Sequence, residues 1–370
     1  MLPRKKVIIV TSEFPPGPGG IGDHAYNLSE QLVENNFDVI VLSELREEFV
    51  NQWKSTPYKA QIEYFKRRKF IPNLDFLFAF IRLFLKYQDA TWIASGAKSL
   101  ITLGISSFLF NPKAIAILHG HELLKGPGFK RWLIRKTINK FSSAVAVSQF
   151  SKDNSKKILD EKKIVVIQNG FNPSKYIPSP TLPKLPNSDA LNLLTVGRVS
   201  ARKGQQNVVK ALHSLLRKYP KVIYHMVGID DSSGYLNTII EELQFGNHVK
   251  THGVLSDTEL IKVFGKTDIF IMLSQNMPDG DVEGFGIAII EANYFGLPAI
   301  GALGCGIEQA IKDGFNGRLV RIDDVDKIGE AIDDLMVNYS TYSNHAISWA
   351  TDHSWSTIIK KYLDLITSLD

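Results

Sequence analysis

The chain has 370 residues, 44% of them hydrophobic and 22% charged, which excludes a disordered or fibrous protein and predicts two globular domains. Residues 1–172 contain 25 Lys and Arg against 15 Asp and Glu, whereas residues 173–370 contain 18 against 23. The basic first half suits an anionic lipid surface, a phosphate-linked acceptor or a nucleic acid, and charge alone does not choose among them.

The sequence predicts a cytoplasmic protein. The single cysteine, Cys305, cannot form an internal disulfide, which suits a reducing compartment. The apolar run at 7–10 is too short for a secretory signal and is predicted to be the first strand. No stretch reaches the roughly 18 uncharged apolar residues of a membrane span, because the longest candidate, 76–85, contains Arg82.

Short β-branched runs alternate with longer amphipathic segments, a pattern typical of βα units with a parallel sheet. In the first half the predicted strands are 6–12, 37–43, 90–94, 114–118, 144–148 and 164–167. A proline-rich passage then predicts a linker over 173–190. We therefore expect an N-terminal Rossmann-like domain over 1–172.

A second alternating series follows the linker. Its predicted strands are 193–196, 222–227, 249–251, 269–273 and 299–301. Its predicted helices are 205–218, 256–266 and 285–295. They predict a second Rossmann-like domain over 191–350, and apolar spacing predicts a closing amphipathic helix within 351–370. The expected fold class is α/β with two doubly wound domains.

The first strand runs into a glycine-rich loop over 13–22, and a helix is expected to start near Asp23. Glycines such as Gly19 and Gly20 allow close approach of a ligand, and the N–H groups at a helix start favour anions. The loop is not a clean GxGxxG, so a structural turn remains the alternative.

The second domain opens with a strand that ends in Gly197-Arg198 and continues to Lys203-Gly204. Ligands of open α/β sheets bind at this edge, where Arg198 and Lys203 could neutralise a pyrophosphate leaving group. A solvated basic loop is the alternative.

Glu283 and Glu291 bracket seven residues at the entry to a predicted helix. Their separation is roughly 12 Å if both are helical, which excludes a glycosidase acid–base pair. The two glutamates suit acceptor groups that bind opposite ends of an extended ligand. Between them, the backbone N–H groups of Phe285, Gly286 and Ile287 could donate to a phosphate. The alternative is one capping and one solvent-facing glutamate.

His119 follows the strand 114–118 in the run His119-Gly120-His121-Glu122. This run also suggests a metal site, but it lacks a third ligand at known spacing, so no metal is expected. We interpret Asp279-Gly280-Asp281 as a loop rather than as a metal-binding pair. Two basic stretches, 66–69 and 125–140, remain, and the second mixes cations with Phe129 and Trp132 as an interfacial helix would. Solvated helix faces are the alternative.

In this order the motifs resemble glycosyltransferase family 4, retaining enzymes of the GT-B fold, in the branch of phosphatidylinositol mannosyltransferases and polysaccharide-assembly enzymes. The resemblance spans nearly the whole chain and includes 166–171, 267–271, 296–299, 313–317 and the closing segment from Trp355. It implies an interdomain cleft and a last helix that crosses back to the N-terminal domain.

The resemblance implies roles for individual residues. Arg198 and Lys203 would bind the donor diphosphate, Glu291 the ribose, and Glu283 the hydroxyls of the transferred sugar. His119, rather than His121, would lie near the anomeric centre. The remaining implied donor-site positions are Gly19, Gly20 and Gly197 near the diphosphate, and Val254 and Leu255 beside the nucleobase.

The expected reaction moves a hexose from a GDP- or UDP-sugar to a saccharide or lipid-linked acceptor in envelope polysaccharide or glycolipid synthesis, without a required cofactor. We also expect the basic first half to make peripheral contact with the inner face of an anionic membrane, since lipid-acceptor members of the family dock their N-terminal domain on anionic bilayers. The alternatives are an NAD-dependent dehydrogenase and an inactive sugar-nucleotide-binding scaffold.

Overall fold

The computed structural model describes residues 4–17, 19–45, 51, 57–66, 74–120, 122–124, 128–176 and 190–369. They fall into two units: the first unit, Met1–Gly170 with Trp355–Asp370, and the second unit, Phe171–Ser354. His121, Lys125, most of the basic stretch 66–69 and the greater part of the predicted linker lie outside the described residues.

The first unit contains a seven-stranded parallel sheet in the order β3-β2-β1-β4-β5-β6-β7. Its strands are β1 Lys6–Thr11, β2 Asp38–Leu45, β3 Gln61–Lys66, β4 Thr91–Ser95, β5 Ala114–Leu118, β6 Ser143–Ala146 and β7 Ile164–Val166. Its helices are α1 Gly20–Glu34, α2 Leu74–Lys86, α3 Ala97–Phe110, α4 Gly128–Thr137, α5 Gln149–Ser155 and, at the end of the chain, α12 Trp355–Thr367.

The central strands of this sheet are apolar on both faces because helices cover both. Ile8 pairs with Ile40 of β2 and Trp92 of β4. These three side chains share one core cluster with the buried residues of α2, α3 and α4. The three helices therefore form one layer on this face of the sheet. The closing helix α12 packs against α1.

The second unit contains a six-stranded parallel sheet in the order β10-β9-β8-β11-β12-β13. Its strands are β8 Asn192–Val196, β9 Ile223–Val227, β10 Val249–Thr251, β11 Ile269–Met272, β12 Ala299–Ala302 and β13 Gly317–Val320. Its helices are α6 Gln205–Leu215, α7 Tyr235–Glu242, α8 Asp257–Phe264, α9 Ile287–Tyr294, α10 Val325–Val337 and α11 Tyr339–Asp352.

Both sheets have the Rossmann strand order, which confirms the predicted fold class. The order reverses between β1 and β4 in the first unit and between β8 and β11 in the second. Loops that follow two such strands diverge, and ligands bind in the crevice left at this topological switch point. The glycine-rich loop follows β1, and the loops that carry Lys203 and Glu283 follow β8 and β11.

Strands β3 and β13 were not predicted from the sequence. Each is an edge strand, and each mixes apolar with polar residues, as in Gln61-Ile62-Glu63 and Gly317-Arg318-Leu319. An edge strand needs only one partly buried face, so its hydrophobic pattern is weak. Among the described residues, no helix has the length and apolar character needed to cross a membrane.

Candidate active site

The glycine-rich loop after β1 is folded tightly at Gly19. Helix α1 begins at Gly20, three residues before the predicted start, and Gly19 is its N-cap with φ of +150°. A Cβ at Gly19 would overlap the Glu13 carboxylate, whereas a Cβ at Gly20 would meet no atom within 4 Å. The loop thus requires a glycine at Gly19 and leaves the first turn of α1 open at Gly20.

The loop is anchored by aromatic residues. Phe14 is buried, and its ring centroid lies 6.0 Å from that of Tyr26 and 5.7 Å from that of Tyr58. The hydroxyl of Tyr58 donates to the Pro15 carbonyl oxygen at 2.9 Å. These contacts fix the backbone that leads to Gly19.

His119 lies directly after β5, beside the end of β4. Its Nε2 is 2.9 Å from the Ser95 hydroxyl oxygen, and the side chain is largely buried. The backbone N–H groups of His119 and Gly120 donate to the two carboxylate oxygens of buried Glu122, at 3.1 and 3.0 Å. Glu122 therefore holds the turn that presents His119. Among the described residues, no group of three His, Cys, Asp or Glu side chains is arranged as a metal site.

A second histidine, His24 of α1, packs edge-on against His119 with ring centroids 5.1 Å apart. Its Nε2 lies 2.9 Å from the hydroxyl oxygen of Tyr362 in α12. Burial lowers the pKa of His24 to about 3, so this ring is neutral at physiological pH. No motif in the sequence marked His24, because its contacts come from residues distant in the chain.

In the second unit, a short 3₁₀ turn, Ala201–Lys203, places two cations on one carboxylate. Lys203 Nζ lies 2.7 Å from Glu283 Oε2, and Arg202 Nη1 contacts the same oxygen. Arg202 Nε also lies 3.4 Å from Asp281 Oδ1. We call Arg202, Lys203, Asp281 and Glu283 the charge cluster.

The backbone after the turn must be glycine. Gly204 has φ of +77°, and a Cβ there would overlap the Leu273 carbonyl oxygen just beyond β11. The backbone N–H of Gln275 donates to the Arg202 carbonyl oxygen at 2.8 Å. The loops after β8 and β11 are therefore held together at the switch point.

Glu283 is ionised because of its neighbours. Burial by itself would raise the pKa of this carboxyl, but Lys203 and then Arg202 lower the pKa to about 2. Because Glu283 is an anion with two cationic partners, the cluster can offer both an acceptor for hydroxyl groups and a donor for phosphate oxygens.

Arg198 lies outside the charge cluster. Its Nη1 is 3.7 Å from Asp231 Oδ2, and 59% of the side chain is exposed. The sequence grouped Arg198 with Lys203 because both follow β8. The structure brings Lys203 to Glu283 and leaves Arg198 beside Asp231, while Arg202, which had no predicted role, contacts Glu283.

Glu283 precedes α9 rather than lying in it, since the helix begins at Ile287 with Gly286 as its N-cap, at φ of +87°. The separation of roughly 12 Å assumed two helical glutamates and does not apply. The Ile289 N–H donates to the carbonyl oxygen of the N-cap Gly286 at 2.9 Å, and the N–H groups of the two residues before it have no acceptor within the helix and remain suited to an anion. Phe285, just before this turn, is buried.

Glu291, one turn into α9, has a cationic neighbour that the sequence analysis missed. Lys175 Nζ lies 3.7 Å from Glu291 Oε1 and 3.8 Å from Asp257 Oδ1. Val254 and Leu255 occupy the loop after β10, and Val254 is 72% exposed. Asp279-Gly280-Asp281 forms a turn in which the Asp281 N–H donates to Asp279 Oδ1 at 3.0 Å, in agreement with its interpretation as a loop.

A sheet of Rossmann order in each unit, with cations and carboxylates at the switch point of the second, defines a class of protein by its architecture, the GT-B fold. Solved structures share this fold. Anabaena HepE, in complex with UDP and glucose, is 20% identical, has a TM-score of 0.78 and covers 99% of this chain and 100% of its own. Sucrose-phosphate synthase from Thermosynechococcus elongatus is 16% identical, has a TM-score of 0.80 and covers 99% of both chains.

Family models then identify the particular family. The model described as Glycosyltransferase Family 4 matches residues 18–175, and the model described as Glycosyl transferases group 1 matches residues 183–349. The chain belongs to glycosyltransferase family 4 and is a transferase.

Curated relatives extend along most of the chain. A GDP-mannose-dependent monoacylated alpha-(1-6)-phosphatidylinositol monomannoside mannosyltransferase of Corynebacterium glutamicum is 24% identical over 91% of this chain and 90% of its own length. A GDP-mannose-dependent alpha-(1-6)-phosphatidylinositol monomannoside mannosyltransferase of Mycolicibacterium smegmatis is 22% identical over 98% of both chains. These comparisons give the dehydrogenase alternative no support.

Proposed function

We propose that the protein is a retaining hexosyltransferase that uses a nucleotide-sugar donor, with GDP-mannose as the favoured donor and UDP-glucose as the next. The observation that carries this proposal is the charge cluster at the switch point of the second unit, where Lys203 and Glu283 are 2.7 Å apart. The names of full-length relatives favour GDP-mannose, whereas HepE was solved with UDP-glucose.

The second unit binds the donor in this proposal. Lys203 and Arg198 bind the diphosphate, and the N–H groups at the start of α9 also donate to it. Gly197 borders the diphosphate and has no side chain to obstruct its approach. Glu291 accepts hydrogen bonds from the ribose, and the loop at Val254 and Leu255 borders the nucleobase. Arg198 reaches the phosphate by leaving its exposed pairing with Asp231, which costs little because surface ion pairs contribute about 0–1 kcal/mol.

Glu283 accepts hydrogen bonds from hydroxyls of the transferred sugar, a role that its ionised state supports. In the first unit, His119 contacts the sugar near C1, and Gly19 and Gly20 contact the diphosphate. The open space at Gly20 and the fixed turn at His119 support these assignments.

The reaction proceeds on one face of the sugar. The bond from C1 to the phosphate oxygen breaks, the acceptor oxygen bonds to C1 from the same face, and the acceptor proton passes to the leaving phosphate. Lys203 and Arg198 stabilise the charge that develops on the phosphate, so no metal ion is required.

Hydrolysis of the donor tests this chemistry without a known acceptor. Purified protein is incubated with GDP-mannose, and separately with UDP-glucose, and the first sugar released is followed by proton NMR before it mutarotates. We expect the α-anomer, which retains the configuration of the donor, and its formation should be lost in Lys203→Ala. An initial β-anomer would overturn the retaining mechanism.

The proposed acceptor is a saccharide or a lipid-linked saccharide at an anionic membrane. The outer faces of α2, α3 and α4 form one apolar surface, which we call the aromatic face. Its exposed members are Leu77, Phe78, Ile81, Leu85, Ile105, Phe108, Phe110, Phe129 and Trp132. Phe129 and Trp132 stack with ring centroids 5.8 Å apart.

Cations lie among these apolar side chains. Lys130, Arg135 and Lys136 are exposed on α4, and Lys140 Nζ lies 4.7 Å from the centroid of the Phe108 ring. Aromatic anchors with adjacent cations are the features by which proteins bind anionic bilayers. Most exposed large hydrophobic residues among the described positions belong to this face, which supports a membrane partner.

Flotation with vesicles that contain phosphatidylglycerol tests this partner. We expect the wild type to float with anionic vesicles, and the double variant Phe129→Ser, Trp132→Ser to bind at least about tenfold more weakly. Val337→Ser removes an equally exposed apolar side chain from the second unit and should bind as the wild type does. Failure of the wild type to bind these vesicles at low salt would contradict the proposal.

A further inference from the structure

Arg202 has no part in the donor contacts proposed above, although it lies inside the charge cluster. We propose that Arg202 is a positioning residue that fixes Glu283 and its loop for the reacting sugar and leaves Lys203 available for the diphosphate. This inference rests on the proposed function of the cluster.

The geometry of the guanidinium supports this role. Arg202 contacts two carboxylates at once, Glu283 through Nη1 and Asp281 through Nε, and only 20% of its side chain is exposed. A planar guanidinium can hold two separate carboxylates in a fixed geometry, whereas an ammonium acts as a point charge. Arg202 therefore ties together two points of the loop that leads into α9.

The backbone of Arg202 is itself fixed. Its carbonyl oxygen accepts from the Gln275 N–H at 2.8 Å, and the Ala201 carbonyl oxygen accepts from Gln275 Nε2 at 3.1 Å. Gln275 follows β11, so the turn that carries Arg202 is anchored to the strand before the loop that Arg202 holds. A rigid support of this kind is what a precisely placed carboxylate requires.

The charges of the cluster explain how Lys203 is left available for the diphosphate. Lys203 and Arg202 share one oxygen of Glu283. A donor diphosphate attracts the ammonium of Lys203, and Glu283 then keeps one cationic partner, Arg202. Without Arg202, the carboxylate would compete with the diphosphate for Lys203, and its position would depend on a flexible side chain.

Steady-state kinetics, nucleotide binding and pH profiles of Arg202→Ala and Arg202→Lys test the inference. In Arg202→Ala we expect kcat to fall about 10- to 100-fold, since displacement of a reacting group by about 1 Å can have this effect. The dissociation constants of GDP and UDP alone should rise by no more than about threefold. The competition of Glu283 for Lys203 weakens their binding slightly, but neither nucleotide carries the sugar that Glu283 holds.

The pH profile separates positioning from general structural support. Loss of Arg202 removes a cation from Glu283, so the acidic limb of kcat should move up by about one pH unit. Arg202→Lys should restore the acidic limb but not the full kcat, because a lysine supplies the charge without the bridge to Asp281. Arg321→Ala, which removes an exposed arginine paired with Asp323, is the matched control and should behave as the wild type does.

Two results would overturn the inference. One is weaker GDP or UDP binding in Arg202→Ala that accounts for the whole loss of activity, since Arg202 would then be a diphosphate ligand. The other is an absence of energetic coupling between Arg202→Ala and Glu283→Gln in a double-mutant cycle of thermal unfolding. This cycle needs no turnover, so it tests Arg202 even if the wild type acts on neither GDP-mannose nor UDP-glucose, a result that would count against the proposed function alone.

Discussion

Replacement of Glu283 by glutamine removes the anion at the centre of the charge cluster and preserves the shape of the side chain. Arg202 and Lys203 would then face a neutral amide at the position of Glu283 Oε2. We expect Glu283→Gln to destabilise the second unit, because two cations lose their common partner in a site that excludes much of the water.

The size of this effect follows from the pKa of Glu283. Burial opposes ionisation, yet Lys203 and Arg202 lower the pKa from 4.5 to about 2. At about 1.4 kcal/mol for each pH unit, ionised Glu283 contributes about 3.5 kcal/mol to the free energy of unfolding at pH 7. For a unit of this size, such a loss lowers the melting temperature by roughly 7–14 °C.

The sign of the pH dependence is fixed by the lowered pKa. The contribution of ionised Glu283 to stability is complete above 4.5, the pKa of this carboxyl in the unfolded chain, and disappears as the pH falls through about 2, its pKa in the folded protein. Calorimetry should show a difference in stability between wild type and Glu283→Gln that falls at pH 3 to about 40% of its value at pH 7. Glu330→Gln, at an exposed carboxylate beside Lys327, is the control and should not change the melting temperature. An unchanged melting temperature for Glu283→Gln at pH 7, or a gap that widens toward low pH, would refute this reasoning.

Three further outcomes are expected. Lys203→Ala should lower turnover about 10²- to 10³-fold, as does loss of one preorganised charge-stabilising group, and near-normal turnover would remove Lys203 from the mechanism. Gly204→Ala should lower the melting temperature by several degrees, because a Cβ there overlaps the Leu273 carbonyl oxygen at positive φ, and calorimetry of a fully stable variant would contradict the strained turn. Incubation with EDTA should leave the rate of donor hydrolysis unchanged, and restoration of a lost rate by Mg²⁺ would show that a metal supplies the charge assigned to the cations.

The central strands could be predicted because they are buried on both faces and read as continuous apolar runs. Ile8 and Trp92 are both fully buried, for example, and their strands were found within one or two residues. The edge strands β3 and β13 could not be predicted, since each needs only a partly apolar face. The start of α1 was misplaced because Gly19 serves as the N-cap at a φ of +150°, a backbone conformation that the sequence of a glycine-rich loop does not assign to one particular glycine.

Lys203 and Glu283 could be proposed from the sequence because each follows a central strand, and the loops after parallel strands all leave the sheet at the same carboxyl edge. The neighbours of the predicted site residues could not be predicted in the same way. In the sequence, Arg198 and Arg202 are both arginines of one basic loop, and nothing local distinguishes them. The 3₁₀ turn of the folded loop places Arg202, and not Arg198, at Glu283. Lys175 and His24 meet Glu291 and His119 through contacts between distant segments, for which the sequence carries no local signal.

The central claim is that the second unit binds a nucleotide sugar through the charge cluster and Glu291. Its most direct test is a thermal-shift panel with GDP-mannose, UDP-glucose, ADP-glucose and NAD, because a ligand that binds only the folded state raises the melting temperature. We expect GDP-mannose or UDP-glucose to raise the melting temperature of the wild type and to do so much less in Glu291→Gln. A shift with NAD and none with any nucleotide sugar would contradict the claim.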